Sequence, residues 1–457
     1  MKQPANTIKV PLAPRAEESA DALQCVVNSP RSKVDLLGIH KLSSAQIAQI
    51  KHAPKKIGAF LHEAASGSYA KITRNNFKNK SLSQWAYNIA IGCVHACRFC
   101  YVPSSQQSGN SKIQKPGRRP NAINAALKKY GVLDPDSEWG EYVLLRPWDE
   151  KTFLESLARA EKTPLDKLNR DGNRAVIFCS TTDPFQTLYI PPRDNESPEE
   201  NARRRVKQEL LNGQRTFLVR RALELILEQS TINVRILTRS SPNKAEWEVL
   251  QALAKEDRLA FGVSLPTLEK ELLEVYEPKA PGFEARLRTL EAAKHKEIPR
   301  FVAMAPTYPE ASESDLRALL TKIQEFNPIT VFHEPINIRA ENVARIEANA
   351  AAKGRTLKTD VFKTPSAWRQ YAIDSLNTVH KLAIELKMVQ CLHLWPDAHL
   401  ESNGQFLKLR KMKRAGLKLT RLEKQRYEQE DQRIYEDQYL PWLNGWWDRI
   451  SEWPGKP

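Results

Sequence analysis

Residues 91–103 read IGCVHACRFCYVP and place three cysteines within eight positions, spaced Cys93-x3-Cys97-x2-Cys100. The whole chain of 457 residues has only six cysteines, so half of them lie in this short stretch. The spacing matches neither the scatter of a disulfide framework nor the CxxC pair of a redox motif. Three thiolates at these intervals can sit on one loop and face one point, which favours a metal group over disulfides.

A cubane iron–sulfur cluster is the metal group that fits this spacing best. A [4Fe–4S] cluster usually takes one cysteine per iron, so three cysteines leave one iron open to an outside chelator. The amino and carboxylate groups of S-adenosylmethionine (SAM) fit that position. An electron transferred into the sulfonium of SAM would then break a carbon–sulfur bond and release a 5′-deoxyadenosyl radical.

Structural zinc is the alternative, with His95 completing a Cys3His set. Zinc sites usually divide their ligands into two well-separated pairs, so four ligands within eight residues would be cramped. We therefore favour the cluster and expect His95 to be a supporting residue of the loop.

The overall charge favours contact with polyanions. Seventy Lys and Arg residues against 54 Asp and Glu give a net charge of +16 and a pI near 9.4, and nucleic acid is the obvious partner. The alternative is a basic but otherwise ordinary enzyme. We find neither a continuous apolar stretch of the roughly 18–20 residues that a membrane helix needs nor an apolar signal-peptide core. The prediction is a cytoplasmic protein without membrane contact.

The central region alternates between apolar strands and amphipathic helices, which predicts an α/β fold of parallel βα units, built as a barrel or partial barrel. The predicted strands are YVLLRP, AVIFCS, NVRILT, LAFGVS, FVAMAP and ITVFHEP. We expect a partly flexible N-terminal extension over residues 1–80 and a catalytic core over residues 81–340. A mainly helical, basic and Trp-rich C-terminal region follows over residues 341–457.

Polar residues recur where the predicted strands end. In βα barrels the chemistry lies at the C-terminal ends of the strands, so the repetition indicates a site. For any single residue the alternative is an N-cap of the next helix. The strand-end residues are Cys179, Ser180, Asp183, Arg239, Ser240, Ser264, Pro306, His333 and Glu334.

Several stretches, in this order, resemble the radical SAM superfamily and, more narrowly, its spore photoproduct lyase-like proteins. The resemblance covers about residues 81–340 and rests on WAYNIAIGCVHACRFCYVP, STTDPFQTL, VRILTRS, GVSLPTLEKELLEVYEPKAPGFEARLRTLEAAKHKEIP and HEPIN. It implies a partial (β/α)6 barrel with the [4Fe–4S] cluster at its open end. It also implies SAM as cofactor and an external electron donor of the flavodoxin or ferredoxin type.

The resemblance also implies which residues bind SAM. Lyase members use a lysine after the fourth strand and a serine at the end of the fifth, and the matching residues are Arg239 and Ser264. Arginine keeps the charge of lysine and can bind a carboxylate with two hydrogen bonds. Ser180 and Asp183 would face the same ligand from the third strand.

Two departures from the family pattern bear on the reaction. Tyr189 stands where family members often carry a glutamate, and a charged insertion of residues 188–213 follows. True photoproduct lyases use a cysteine near the end of the third strand as hydrogen donor. Cys179 lies close to that position, but its distance to Asp183 is longer by one residue. Because side chains alternate along a strand, we expect Cys179 to point away from the cavity as a buried structural cysteine.

The sequence predicts a radical SAM enzyme, lyase-like, whose substrate it does not identify. Nucleic acid, through repair of a damaged base or base modification, is one hypothesis. Residues 408–426, with nine basic residues against the single acid Glu423, and nearby tryptophans would then bind phosphates and stack bases. The alternatives are a protein or small-molecule substrate, or a nucleic-acid-binding protein with structural zinc. Six leucine and methionine residues of the basic stretch are expected to pack inward: Leu407, Leu409, Met412, Leu417, Leu419 and Leu422.

Overall fold

The computed structural model describes most of the expected core and part of each flanking region. The described residues are 58–61, 69–74, 83, 85–103, 122–163, 174–192, 194–338, 341–395, 409, 412 and 417–434. Outside them lie residues 34–50, whose sequence predicts a helix, residues 104–121, whose polar sequence predicts a loop, and Trp442, Trp446 and Trp447. No described helix is both long enough and apolar enough to cross a membrane.

The strands form two sheets, and the larger is mostly parallel. In chain order the described strands are β1 (Gly58–Leu61), β2 (Ile72–Arg74), β3 (Trp85–Tyr87), β4 (Ala90–Gly92), β5 (Tyr142–Leu145), β6 (Ala175–Phe178), β7 (Asn233–Thr238), β8 (Leu259–Ser264), β9 (Arg300–Thr307), β10 (Thr330–Pro335) and β11 (Leu392–Leu394). The large sheet has the order β11-β10-β9-β8-β7-β6-β3-β2. All its neighbours are parallel except β2, which pairs antiparallel with β3.

Helices connect the parallel strands as the sequence predicts. The described helices are α1 (Ala122–Lys129), α2 (Glu150–Glu161), α3 (Pro198–Gln229), α4 (Lys244–Lys255), α5 (Lys270–Tyr276), α6 (Phe283–His295), α7 (Glu313–Gln324), α8 (Asn342–Ala352), α9 (Pro365–Glu385) and α10 (Arg421–Ile434). The two edges of the described large sheet do not pair with each other, so the barrel is partial. The predicted α/β fold is thereby confirmed.

Local sequence signals explain where the helices begin. Ser197, Asn243 and Ser312 each form a reciprocal capping box with an acidic residue three positions later, which satisfies two backbone donors at the helix start. Strands β6 and β8 are buried along their whole length, as parallel strands covered on both faces must be. Inside the barrel Gly262 allows a close approach, because a Cβ there would lie 2.1 Å from the ring of Phe301.

The sequence predicts a surface helix flanked by loops within the charged insertion of residues 188–213, but the structure has one much longer helix. Helix α3 begins at Pro198 and runs for 32 residues without a break, through Gly213 to Gln229. A glycine inside a helix costs only about 1 kcal/mol, and the buried second half of α3 offsets that cost. The capping box at Ser197 starts the helix well before the apolar segment TFLVRRALELILEQ of residues 216–229.

The stretch QWAYNIAIGC predicts one strand that runs into the cysteines, but the structure divides this segment. It forms two strands of three residues, β3 in the large sheet and β4 in a small sheet of order β1-β5-β4. The predicted strand YVLLRP is β5 of this small sheet, where it pairs with β1 and β4. Pairing partners distant in sequence decide sheet membership, so the apolar pattern could not reveal this division.

Parts of both flanking regions join the core. Strands β1 and β2 come from the expected N-terminal extension, and β11 adds a further parallel strand beside β10. Helix α9 packs against β10, β11 and α7. Of the leucines expected to pack inward from the basic stretch, Leu409 is buried, but Leu417 and Leu422 are 55% and 56% exposed. Helix α10 begins only at Arg421, and most of its residues are polar.

Candidate metal and cofactor site

A cavity of about 280 Å³ lies at the C-terminal ends of the parallel strands. Residues 93–100, here called the cysteine loop, follow β4 and form one wall. The other walls come from the ends of β6, β7, β9 and β10. The residues lining the cavity include Cys93, His95, Cys97, Phe99, Cys100, Cys179, Ser180, Asp183, Arg239, Pro306 and Glu334.

The backbone of the cysteine loop is held from three sides. The amide of Val94 donates to Gln186 Oε1 at 2.9 Å, and the amide of Arg98 donates to the carbonyl of Tyr276 at 2.8 Å. Ala96 adopts a positive φ of 55° and packs so closely on Gly140 that a Cβ on that glycine would lie 2.1 Å from the Cβ of Ala96. The loop is therefore fixed by tertiary contacts before any ligand binds.

Helix α8 binds the carbonyl oxygens of the second half of the loop. Arg345 Nε donates to the carbonyl of Arg98 at 3.2 Å, and Arg345 Nη2 donates to the carbonyl of Cys100. Asn342 Nδ2 donates to the carbonyl of Phe99 at 3.3 Å. These three carbonyl oxygens accept hydrogen bonds from α8, so they do not face the cysteine thiols.

Burial dominates the protonation of the three thiols. It raises the pKa of Cys93, Cys97 and Cys100 each to about 12, because a thiolate loses its hydration in the closed site. Nearby cations act in the opposite direction: Arg239 lowers the pKa of Cys97 and Cys100, and Arg345 lowers that of Cys100. The thiols are therefore protonated at neutral pH until a metal displaces the protons.

His95 turns towards the strand ends. Its Nε2 lies 3.0 Å from the Ser240 hydroxyl and its Nδ1 lies 3.7 Å from Asp183 Oδ2. Burial lowers the pKa of His95 to about 4, so the ring is neutral at physiological pH. Both nitrogens thus face β6 and β7 groups, which agrees with a supporting residue better than with a fourth zinc ligand.

Asp183 organises the ends of β6 and β7 and forms, with His95, Thr238 and Ser240, what we call the aspartate cluster. Its carboxylate accepts from Thr238 Oγ1 at 2.8 and 2.9 Å and from the amide of Arg239 at 2.7 Å. It also accepts from a third donor, the amide of Phe185, at 2.9 Å. Asp183 lines the cavity, but the protein itself already occupies its oxygens.

The side chain of Arg239 belongs to a second group, here called the glutamate cluster, formed with Glu277, Arg286 and Tyr308. Arg239 Nε donates to Glu277 Oε2 at 3.1 Å, and the guanidinium lies over the ring of Phe99, 5.6 Å from its centre. The predicted site residue Arg239 is thus in the cavity wall beside the cysteine loop.

The two predicted serines have different positions. Ser180 lines the cavity, and its hydroxyl accepts from Asn88 Nδ2 at 3.2 Å. Ser264 is fully buried at the end of β8 and is not among the residues that line the cavity. Its hydroxyl donates to the carbonyl of Ala305 at 3.4 Å.

Cys179 is buried, as expected, and it also lies in the cavity wall, against the expectation that it points away. The reason is its positive φ of 57°, which ends the alternation of side chains just after β6. Its amide still bonds the carbonyl of Tyr87 at 2.6 Å. Burial raises the pKa of the Cys179 thiol, which keeps it protonated.

Sequence reasoning missed Glu277, Arg286, Asn342 and Arg345 as parts of the site. Glu277 and Arg286 lie within the quoted stretch EPKAPGFEARLR. An acidic and a basic residue nine positions apart in that stretch could have indicated an ion pair. The other two lie beyond residue 340, on a helix whose own sequence carries no mark of the contact.

A viral protein is similar in sequence to this chain. No family model matches the sequence. A relative in Acidianus two-tailed virus, the uncharacterised protein ORF301, is 27% identical over 288 residues, which cover 61% of this chain and 77% of the relative.

The similar solved structures include spore photoproduct lyase and other radical SAM enzymes. Spore photoproduct lyase complexed with dinucleoside spore photoproduct has a TM-score of 0.46 and 11% identity, covering 74% of this chain and 80% of that chain. The radical SAM methyltransferase TsrM from Kitasatospora setae has a TM-score of 0.32 and 12% identity, covering 56% of this chain and 36% of that chain.

Proposed function

We propose that this chain is a radical SAM enzyme in which Cys93, Cys97 and Cys100 hold a [4Fe–4S] cluster. The observation that carries the proposal is the fixed cysteine loop, whose three thiols line one cavity at the C-terminal ends of parallel strands. In the described residues no set of three or more His, Cys, Asp or Glu side chains forms a site for a single metal ion. A cubane, in contrast, takes one thiolate per iron and spreads its ligands over separate corners.

The surroundings of the thiols suit a negatively charged cluster. Arg239 and Arg345 bring positive charge close to the cysteine loop, and the backbone carbonyls there are bound by α8. Cysteine must be deprotonated to bind iron, and these cations favour the thiolates. Held by Cys93, Cys97 and Cys100, a bound cluster would supply the electron for reductive cleavage of SAM at its sulfonium, which gives methionine and a 5′-deoxyadenosyl radical.

The residues of the chain would bind and orient SAM rather than react with it. Arg239 would bind the carboxylate of the methionyl group with its guanidinium, and Ser180 would contact the ligand from the opposite wall. Asp183 would act through its hold on the backbone of Arg239. An external flavodoxin- or ferredoxin-type protein would supply the electron.

Cys179 is the proposed hydrogen-atom donor for the substrate radical. Its protonated thiol lies in the wall of the same cavity, and donation of a hydrogen atom to a carbon radical would leave a thiyl radical on the sulfur. With deuterated solvent, exchange places deuterium on this thiol. The product should then carry the label in the parent protein, and Cys179→Ala should lose that label.

We propose nucleic acid as the substrate class, with photoproduct lyase-like repair or base modification as the reaction. The support is the net charge of +16 and four exposed basic residues, Lys418 just before α10 and Arg421, Lys424 and Arg426 within it. A protein or small-molecule substrate remains the alternative outcome of the test below.

Anaerobic reconstitution with iron and sulfide tests the proposal. The parent protein should bind about four irons per chain and, with dithionite, should convert SAM to 5′-deoxyadenosine. The protein is then incubated with deuterated, ultraviolet-irradiated DNA, RNA or protein. The substrate class is the one from which deuterium passes into 5′-deoxyadenosine. A colourless protein that binds one zinc instead would contradict the proposal.

A further inference from the structure

The outer edge of Arg239 is open to the cavity while its inner edge is fixed. Among the described residues its guanidinium donates through Nε alone, to Glu277 Oε2 at 3.1 Å. Nη1 and Nη2 donate to no described residue, and the side chain is 18% exposed where it lines the cavity. A guanidinium held in this way presents two parallel donors, the geometry that binds a carboxylate.

Glu277 is the residue that fixes the inner edge. Its side chain is fully buried and accepts from three groups at once: Arg239 Nε, Arg286 Nη2 and the Tyr308 hydroxyl, the last at 3.2 Å. A buried carboxylate needs such partners, because an unpaired charge in this environment is very unfavourable.

Arg286 ties this arrangement to the barrel. Its Nη1 donates to the carbonyl of Ser264 at 3.1 Å, and its Nε donates to the carbonyl of Pro281 at 2.8 Å. The position of the Arg239 side chain is therefore defined by a continuous set of contacts that starts at the end of β8 and passes through Arg286 and Glu277.

The fixed arginine has a consequence for ligand binding. A solvent-exposed arginine loses rotamer freedom when a ligand immobilises it, and this loss opposes binding. Glu277 has already restricted Arg239 in the folded protein, so less of this cost falls on binding.

We propose that Glu277 is a positioning residue that orients Arg239 towards the carboxylate of the amino-acid part of the ligand. This inference rests on the proposed function, in which the ligand is SAM. Glu277 is not among the residues that line the cavity, so its effect should pass entirely through Arg239.

The test is a double-mutant cycle on the reconstituted protein, with SAM affinity measured by anaerobic equilibrium dialysis. Glu277→Gln should weaken SAM binding about tenfold with iron content and the electron paramagnetic resonance spectrum of the SAM-free cluster unchanged. In an Arg239→Ala background the same substitution should change affinity less than twofold, because the group it orients is gone. Equal effects in both backgrounds would overturn the proposal.

A ligand without the carboxylate provides a second readout. Decarboxylated SAM should bind the parent and Glu277→Gln proteins equally well, which a general loss of structure would not produce. Glu196→Gln is the matched control, since it neutralises a similarly shielded carboxylate that pairs with Arg204 and does not line the cavity, and it should bind SAM within twofold of the parent.

The outcomes separate this inference from the proposed function. A parent protein that binds neither iron nor SAM contradicts the proposed function. A parent that binds both, with Glu277→Gln at parental affinity, contradicts the positioning role alone. If Glu277→Gln does not assemble a cluster, Glu277→Asp replaces it; this keeps the charge and shortens the reach, and parental SAM affinity there would equally refute the positioning role.

Discussion

The aspartate cluster and the glutamate cluster flank the same cysteine loop but use their polar groups differently. In the aspartate cluster, Asp183 accepts from three protein donors, the Thr238 hydroxyl and the amides of Arg239 and Phe185, and its oxygens are occupied. In the glutamate cluster, Glu277 is equally occupied, but Arg239 keeps one edge of its guanidinium towards the cavity. A buried polar group whose hydrogen bonds are all made within the protein has a structural role. A fixed group that still has donors directed into a cavity is suited to binding a ligand.

Arg239 connects the two clusters. Its backbone amide donates to Asp183 and its side chain donates to Glu277. Substitutions in the two clusters should therefore separate stability from ligand binding, and the following experiments test that separation.

The largest effect is expected from the loop that both clusters support. Cys97→Ala should lose the iron–sulfur cluster and all reductive cleavage of SAM, because one iron loses its ligand. Cys391→Ala is the matched control, since Cys391 does not line the cavity and its thiol donates to the carbonyl of Met388. Iron analysis and 5′-deoxyadenosine production check both variants, and a Cys97→Ala protein with full iron content would refute the assignment.

Arg239→Ala should act on binding more than on stability. We expect SAM affinity to fall by tenfold or more, about 1.4 kcal/mol, while iron content stays at the parental level. The control is Arg204→Ala. Arg204 lies on α3, is similarly shielded and pairs with Glu196, and its variant should bind SAM like the parent. Parental affinity in Arg239→Ala would remove the residue from the site.

Asp183→Asn should show the opposite pattern. An amide group would turn donors towards a Thr238 hydroxyl and backbone amides that also donate, at a cost of about 1–3 kcal/mol in the free energy of unfolding. Urea denaturation should show this loss, while SAM affinity of the folded protein stays within about threefold. The exposed Asp374 on α9 provides the control, Asp374→Asn, with parental stability. A large loss of affinity without loss of stability would show that Asp183 contacts the ligand.

Acid should weaken the glutamate cluster in a defined pH window. Burial by itself raises the pKa of Glu277, but Arg239 and Arg286 outweigh it and lower the pKa from 4.5 to about 2. The unfolded chain therefore binds the proton first, and the stability from Glu277 is complete above about pH 4.5 and is lost as the pH falls towards 2. Unfolding free energies at pH 6 and pH 3.5 should differ less in Glu277→Gln than in the parent, and an equal difference would contradict this contribution.

The smallest effect is expected far from both clusters. Changing Lys418, Arg421, Lys424 and Arg426 together to glutamine should reduce the salt dependence of single-stranded DNA or RNA binding, by roughly 0.7 in slope for each lost phosphate contact. Cluster content should not change. The matched control substitutes four other exposed basic residues: Arg203, Arg205, Lys255 and Lys270. An identical salt slope in parent and variant would favour a protein or small-molecule substrate.

The fold was largely predictable because its signals are local. Strands β6 to β10 are short apolar runs, and helices α4, α6 and α7 have an apolar period close to 3.6, so each element can be recognised from its own residues. The position of polar residues at the strand ends followed from the direction of parallel strands. Sheet membership of β4 and β5, and the length of α3, were not predictable because they depend on partners elsewhere in the chain.

The candidate site was predictable only in part. The spacing of Cys93, Cys97 and Cys100 marks the loop, and Arg239 was found by its place after β7. The pattern could not tell that Ser264 is enclosed while Cys179 lies in the cavity wall, because a single positive φ at Cys179 decides the second of these positions.

The sequence by itself determined the order of βα units, the three-cysteine spacing and the positive charge, since each is a property of neighbouring residues or of composition. Only the tertiary structure decided which charges meet. Glu277 finds Arg239, 38 positions earlier, and Arg345 reaches the cysteine loop from 245 positions beyond Cys100. The physical reason is that a buried charge is stable only beside a partner, and that partner is set by packing in three dimensions rather than by distance along the chain.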